Sequence, residues 1–477
     1  EGYVIENYQG SRLPIQNVVV NDANGGTNRF VRNTLSSANG TYIKGNLTIN
    51  TGGEFRWVAA ATGDNSIGGN LTNNGTMTSL TEVGFGVPND ASSLYVPSTS
   101  QTISGAGIFR NDLVSSTAPY INVIANNSGG TINFSGSTNL SSSGNITVAT
   151  NTTVNSTNTN LTGTTSQAVA LTAASSSLNV TNFTLNNSAG SILSGSGFVN
   201  VTGTATVSAG LLTAGGRLVL KSTMSGTARI AAVAGTLTGN VTTETFIPDG
   251  RRAYRFLGHP FSTALSMASL TDDIFVTGDG TTAGTGGVTP GAGLDATTTN
   301  TASSFWFDQT TNGWKAFMTA ADASWTQYVG TRILVRGDRS QADALTGVAY
   351  TPNAVTLDMT GAVNSGNQNI AVSNAGNFHL VSNPYPSPVN IGTVVDATAN
   401  IGTTYWVWDA NAVTRGAYVP LTVGSGAYNL AMNGAFFVQP TVGTTLAFTE
   451  ANKTASATAN LFRTQTAQNQ LELQVNY

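Results

Sequence analysis

Apolar residues in the first half of the chain come in short runs separated by Asn, Ser, Thr and Gly, and within each run they alternate with polar residues. Leu47 and Ile49 flank Thr48, and Ile146 and Val148 flank Thr147, a period of two that puts the apolar side chains on one face of a strand. The runs recur as Gly45-Asn46-Leu47-Thr48, Gly69-Asn70-Leu71-Thr72, Gly144-Asn145-Ile146-Thr147 and Gly239-Asn240-Val241-Thr242, with Leu178-Asn179-Val180-Thr181 and Val199-Asn200-Val201-Thr202 as variants. Such a unit cannot bury its own inward face, so the pattern predicts a parallel β-helix over residues 45–242, a right-handed stack with roughly 20 to 25 residues per coil. Gly and Asn are expected to supply the positive φ needed at the corners. An antiparallel β-sandwich with degenerate strands is the competing architecture.

Residues 1–44, with Tyr3, Val4 and Ile5 and then an apolar run over 13–20, are expected to form strands that cap the stack or lead into it. From residue 243 the pattern changes. Short strands are expected at 243–247, 254–257, 304–307, 314–317, 332–336, 355–358, 369–372, 378–381, 404–408, 418–421, 434–438, 445–448 and 470–475. Many short strands with regular turns point to a β-sandwich or jelly-roll-like domain over 243–477. One short helix is expected at 262–270 and a long loop at 278–301. The fold class is therefore all-β.

Composition sharpens this picture. The chain of 477 residues is 9% charged, against the roughly 25% of average soluble proteins. Between Asp112 and Arg217 there is no Asp, Glu, Lys, Arg or His. Stacked coils repeat each position about 4.8 Å away, where like charges repel and Asn, Ser and Thr can hydrogen-bond in ladders. The 40% of hydrophobic residues, in regular runs, argues against disorder. A net charge of −4, with no basic stripe, gives no nucleic-acid footprint. No apolar run reaches transmembrane length, and the start at Glu1 shows neither an initiating Met nor a signal peptide, so a mature or trimmed product is expected. Zero Cys rules out disulfides, thiolate metal sites and a Cys nucleophile.

Three stretches carry more than composition: GNVTTETFIPDGRRAYRFLGHPF (239–261), NFHLVSNPYPSPVNI (377–391) and YWVWD (405–409). They resemble the large surface proteins that Bacteroidetes export through the type IX secretion system, in which an Asn/Gly/Thr-rich β repeat precedes a β-sandwich with an Asn-Pro-Tyr-Pro-Ser-Pro turn. The resemblance covers the second half well and the first half in style. It implies delivery to the outer cell surface, and no particular activity. Those proteins typically end in a sorting signal beyond a further β-domain, whereas this chain stops at Tyr477, so either the signal is removed on export or the natural polypeptide continues.

Candidate chemistry is sparse. Glu54, Asp64, Glu82, Asp90 and Asp112, with Arg56 and Arg110, show no recurrent spacing of the kind a glycosidase or lyase needs. His259 and His379, the only histidines, sit in apolar contexts and are read as core or turn residues over metal ligands or bases. No Ser occupies a nucleophile elbow, and Gly195-Ser196-Gly197 and Gly424-Ser425-Gly426 read as turns. Arg251, Arg252 and Arg255 lie near Glu244 and Asp249; an anion or sugar-acid site is one reading and structural ion pairs the preferred one. Trp306, Trp314, Trp325, Trp406 and Trp408 are read as core packing over sugar-stacking platforms, because Trp406 and Trp408 share one strand face and Tyr405 and Val407 the other. Asp272, Asp273 and Asp279 are carboxylates of a type calcium takes, without a full loop motif. Asn-x-Ser/Thr triplets such as those at Asn46, Asn70, Asn74 and Asn145 follow from composition.

The reading assigns no catalytic, cofactor-binding or metal-ligating residue. It expects an extracellular structural or adhesive protein, a repeated subunit of a filament, sheath or surface lattice, with a carbohydrate-binding or polysaccharide-degrading β-helix protein as the alternative. Its partners would be copies of itself and surface glycans. The alternating segments at residues 3–6 and 470–477 are candidates for strand exchange between copies, or for completing this chain's own sheets.

Overall fold

The computed structural model describes residues 3–4, 16–21, 30–33, 42–57, 66–79, 82–86, 100–105, 108–110, 122–135, 139–278, 293–297, 301–346, 348–412 and 416–458. It is 49% strand and 5% helix and divides into two units, residues 1–220 with 233–241, and residues 221–232 with 242–477. The candidate terminal strand at 470–475 lies outside the described residues, as do Asp64, Asp90, Asp112 and Asp279.

The first unit is a parallel β-solenoid, and the antiparallel alternative for this region is set aside by its strand pairing. One coil runs through Tyr42–Ile43, Leu47–Ile49 and Glu54–Trp57, and the next places Ser66–Ile67, Leu71–Asn73 and Thr76–Ser79 beside them in parallel. Side-chain alternation fixes the register. Leu47 lies against Leu71, Leu71 against Ile103, and Ile103 against Phe134, all buried. A second column runs Ile132, Val154, Leu178, Val199 and Leu218. A slip of one residue would turn every one of these side chains to the outside, so burial holds the register. Val18–Val20 already pairs in parallel with Leu47–Ile49, so the segment before residue 45 contributes a rung of the stack. Coil lengths spread more widely than expected among the described residues, from 18 residues between Ser66 and Gly84 to 40 between Glu82 and Asn122.

The Gly-Asn-Leu-Thr pattern has a cause different from the expected one. Gly45 and Gly69 are not at positive φ; a Cβ on Gly69 would sit 2.4 Å from the carbonyl oxygen of Gly45, and one on Gly45 1.9 Å from that of Gln16. Glycine is needed there because successive coil backbones touch. The Asn that follows is a hydrogen-bond acceptor instead of a corner residue: Asn46 Oδ1 accepts from the Asn70 backbone N–H at 2.8 Å, and Asn70 Oδ1 from Thr102 N–H at 2.9 Å. Positive φ is supplied by Gly and Asn as expected, in this pattern at Gly239 and otherwise at turns such as Gly195 and Asn151.

Across the charge-free span the expected ladders are present. Asn155 Nδ2 donates to Asn133 Oδ1 at 2.8 Å, Asn179 to Asn155 at 2.9 Å and Asn200 to Asn179 at 2.9 Å. A second ladder links Asn139, Asn158 and Asn182. Inside the coil, Gln167 Nε2 bridges the carbonyls of Ser142 and Gly144 at 2.9 and 2.7 Å, tying one turn to the next.

The second unit is a layered β-sandwich. One sheet orders Ala253–Leu257, Thr331–Val335, Ser304–Asp308 and Gly313–Ala316; the other orders His379–Ser382, Ala435–Val438, Thr404–Asp409 and Ala417–Thr422, both antiparallel. Alternation distributes the apolar side chains. Leu257, Ile333 and Val335 face one core with Trp325, and Val381, Tyr405, Val407 and Phe436 face another with Ile370 and Leu446. Phe256 and Phe307 of the first sheet meet Leu380 and Phe437 of the second in a cluster between them. In place of the expected helix at 262–270 there is a single 3-10 turn, Met267–Ser269. A helix that the reading lacked, Ile391–Asp396, starts where the Asn390 side chain accepts from Thr393 N–H at 3.1 Å.

Candidate functional site

The strand Thr404–Asp409 divides its aromatic residues between two environments. Tyr405 and Val407 are fully buried in one core, whereas Trp406 and Trp408 point into the aromatic cluster between the two sheets and are half-buried. The rings there tile edge to face: Phe378 meets Trp406 at 5.3 Å, Phe307 meets Phe437 at 5.0 Å and Trp408 meets Tyr418 at 5.0 Å. Phe256 stacks on Trp408 at 5.3 Å. Each such pair contributes about 0.5–1.5 kcal/mol beyond area burial, which fixes the ring planes. On one side the tiling leaves a cleft of about 370 Å³ lined by Phe307, Phe378, Trp406, Tyr418 and Phe437. Tyr418 is 47% exposed, and burial of its hydroxyl end raises its pKa, keeping the phenol neutral. Fixed ring faces without a carboxylate or imidazole among them suit stacking against a sugar or other flat apolar ligand.

Beside the cluster, Arg332 is held in a cage of rings, 4.8 Å from Tyr254, 4.6 Å from Phe305 and 4.3 Å from Trp314. Burial lowers its pKa, and the aromatic faces replace part of the lost hydration.

The other candidates disperse. His259 is fully buried: Nε2 lies 3.2 Å from the Trp325 carbonyl and Nδ1 accepts from Phe261 N–H at 3.3 Å, which sets the Nε2–H tautomer. Burial lowers its pKa to about 4. His379 is buried on its strand with Nε2 3.4 Å from the Asn374 carbonyl. The three arginines do not form one site. Arg255 is 1% exposed, with its pKa lowered to about 10 by burial and by Arg251; Arg252 is exposed. Glu244 pairs with Lys221 and accepts from Ser222 N–H at 3.0 Å, so the ion pair expected with these arginines is made with a lysine instead. Trp306 and Trp325 belong to the core that contains Leu257, and Trp325 donates from Nε1 to the Val329 carbonyl at 3.1 Å.

Asp273 accepts from Asp358 N–H at 2.8 Å, and burial, aided by Asp358 and Asp272, raises its pKa to about 7. Among the described residues no group of three or more His, Cys, Asp or Glu is placed to hold a metal ion. Asn46, Asn70 and Asn145 use their Oδ1 atoms on neighbouring backbone N–H groups.

The Asn-Pro-Tyr-Pro-Ser-Pro turn is a buried structural joint. Asn383 Nδ2 donates to the carbonyls of Ser387 and Ala431 at 2.8 and 3.0 Å while its Oδ1 accepts from Tyr385 N–H at 3.0 Å. Tyr385 donates to the Gly366 carbonyl at 2.6 Å, and Ser387 to that of Thr454 at 3.2 Å. Lys453 lies over the Tyr385 ring at 4.9 Å and pairs with Glu450 at 2.8 Å. Each polar atom placed here satisfies a buried backbone group that would otherwise cost about 1–3 kcal/mol.

The sequence reading missed the cleft because its five rings, spread from Phe307 to Phe437, come together only in the folded sheets; the alternation at Trp406 and Trp408 was its only local signal. No protein-family model, curated protein or solved structure matches this chain.

Proposed function

We propose that this chain is an extracellular structural and adhesive protein of the outer cell surface, non-catalytic, and working as a repeated subunit of a filament, sheath or surface lattice. The observation that carries this reading is the pair of asparagine ladders on the charge-free coils. Their amides are satisfied coil to coil, which gives the solenoid a rigid neutral face that another copy can approach without charge repulsion. The resemblance of residues 239–261, 377–391 and 405–409 to type IX cargo supports export to the surface.

A second reading, carbohydrate binding, is favoured by the open aromatic cleft. A panel of neutral and acidic glycans incubated with the purified protein separates the readings. The structural reading predicts no turnover of any glycan. Saturable binding that is lost in Tyr418→Ala and Trp406→Ala would move the protein to the binding class, and release of cleaved sugar would overturn the non-catalytic reading.

A further inference from the structure

A second cleft in the sandwich unit, of about 460 Å³, is lined by Arg252, Tyr254, Thr277, Ser303 and Arg336 among others. Its chemistry is the opposite of the aromatic cleft's. Arg336 is 4% exposed, yet its guanidinium is held by neutral oxygens alone: Nη2 donates to Thr277 Oγ1 at 2.8 Å and Nη1 to the Ala344 carbonyl at 3.3 Å. Its Nε is buried without a hydrogen-bond partner among the described residues. A buried guanidinium ordinarily takes a carboxylate partner, because neutral acceptors return only part of the lost hydration.

The nearby carboxylate, Asp295, acts on Arg336 through space only, and its hydrogen bonds are made elsewhere. Asp295 receives two bonds of 2.9 Å from Arg339 and a third of 2.9 Å from Val276 N–H. The second arginine of the cleft, Arg252, is exposed, and its positive charge acts on Arg336 in the direction that disfavours a second cation. Two guanidiniums thus share one cleft whose own hydroxyls and carbonyls leave the charge uncompensated.

We infer that this cleft is an anion-binding site, with Arg336 as the buried anchor and Arg252 as the gatepost, and that its ligand is the carboxylate or sulfate group of an acidic sugar. Planar guanidiniums present paired N–H donors that match either oxyanion. The cleft is larger than a bare ion needs, and the Tyr254 ring and Ser303 and Thr277 line its remainder, as a sugar ring and its hydroxyls require. The inference is independent of whether the chain assembles, since it concerns one copy and a small ligand.

The test is calorimetric titration of the full chain with sodium glucuronate, inorganic sulfate and glucose at low salt. The expected result is saturable binding of glucuronate, of sulfate or of both, with glucose silent and affinity falling as salt rises. Glucuronate alone would identify a carboxylate ligand, and sulfate alone a sulfate ester. Arg252→Gln, at an exposed position, is expected to keep the melting temperature and to weaken binding at least tenfold. Absence of binding to both anions at millimolar concentration, equal binding of glucose, or undiminished affinity in Arg252→Gln overturns the assignment.

Discussion

At the scale of single residues, the solenoid depends on side chains that donate and accept at once. Asn179 gives Nδ2 to Asn155 and takes Nδ2 from Asn200, so an aspartate there keeps the acceptor and loses the donor. Asn179→Asp should destabilise the chain by about 1–3 kcal/mol in urea unfolding at pH 7. The deficit should shrink near pH 3, where the carboxyl is protonated and can donate again; a deficit independent of pH would mean that the ladder contributes nothing specific. A second residue-scale effect concerns pH. His259, with a folded pKa of about 4 against the ordinary 6.5, binds its proton more readily when unfolded, so its contribution is present above 6.5 and is lost as pH falls toward 4. The shift corresponds to about 3 kcal/mol at most. Asp273 works with the opposite sign: raised from 3.8 to about 7, it favours the folded chain at low pH, and that contribution is lost as pH rises toward 7. The two slopes oppose each other between about pH 4 and 7. His259→Gln should therefore show stability falling with rising pH in that window, and Asp273→Asn stability rising, as measured by denaturant midpoints in buffers across the range.

At the scale of elements, period-two alternation made both halves legible. Every strand expected between residues 243 and 448 lies where a strand stands, from Asn240–Ile247 to Thr444–Phe448, because each carries a β-branched or aromatic run that a sheet face can bury. The coils were legible for the same reason at Leu47–Ile49 and Ile146–Val148. What one strand's sequence does not contain is its neighbour. The role of Gly69 follows from the backbone of the coil beside it, and the Lys221–Glu244 pair joins residues that the local charge pattern did not connect. Neither cleft could be read whole: Arg252 and Trp406 stood out singly, but the residues beside them come from segments widely spaced in the chain. The stacking itself can be probed. Ile146 is buried between Val123 and Val169 of the adjoining rungs, so Ile146→Asp places an unpaired charge between coils at a cost of several kcal/mol. Hydrogen exchange should show lost amide protection around residues 123–125 and 167–171 ahead of the sandwich unit. Protection lost uniformly, or not at all, would argue against coil-by-coil packing.

At the scale of the whole molecule, a chain of 477 residues with 9% charged side chains and a net charge of −4 has weak electrostatic resistance to meeting copies of itself. Its first unit satisfies its polar side chains in neutral ladders, and its second stores its aromatic residues between two sheets and opens part of them in a cleft. Both features suit the proposed surface building element that holds position and makes contacts, in which the charge-free coils are where a second copy would meet the least resistance. The central claim is that the protein works as a repeated subunit. Its most direct test is light scattering of the full chain over a concentration series, with negative-stain microscopy of the same samples. The account predicts mass growing with concentration into filaments or sheets of regular repeat. A chain that remains monomeric at the highest concentration reached would contradict it.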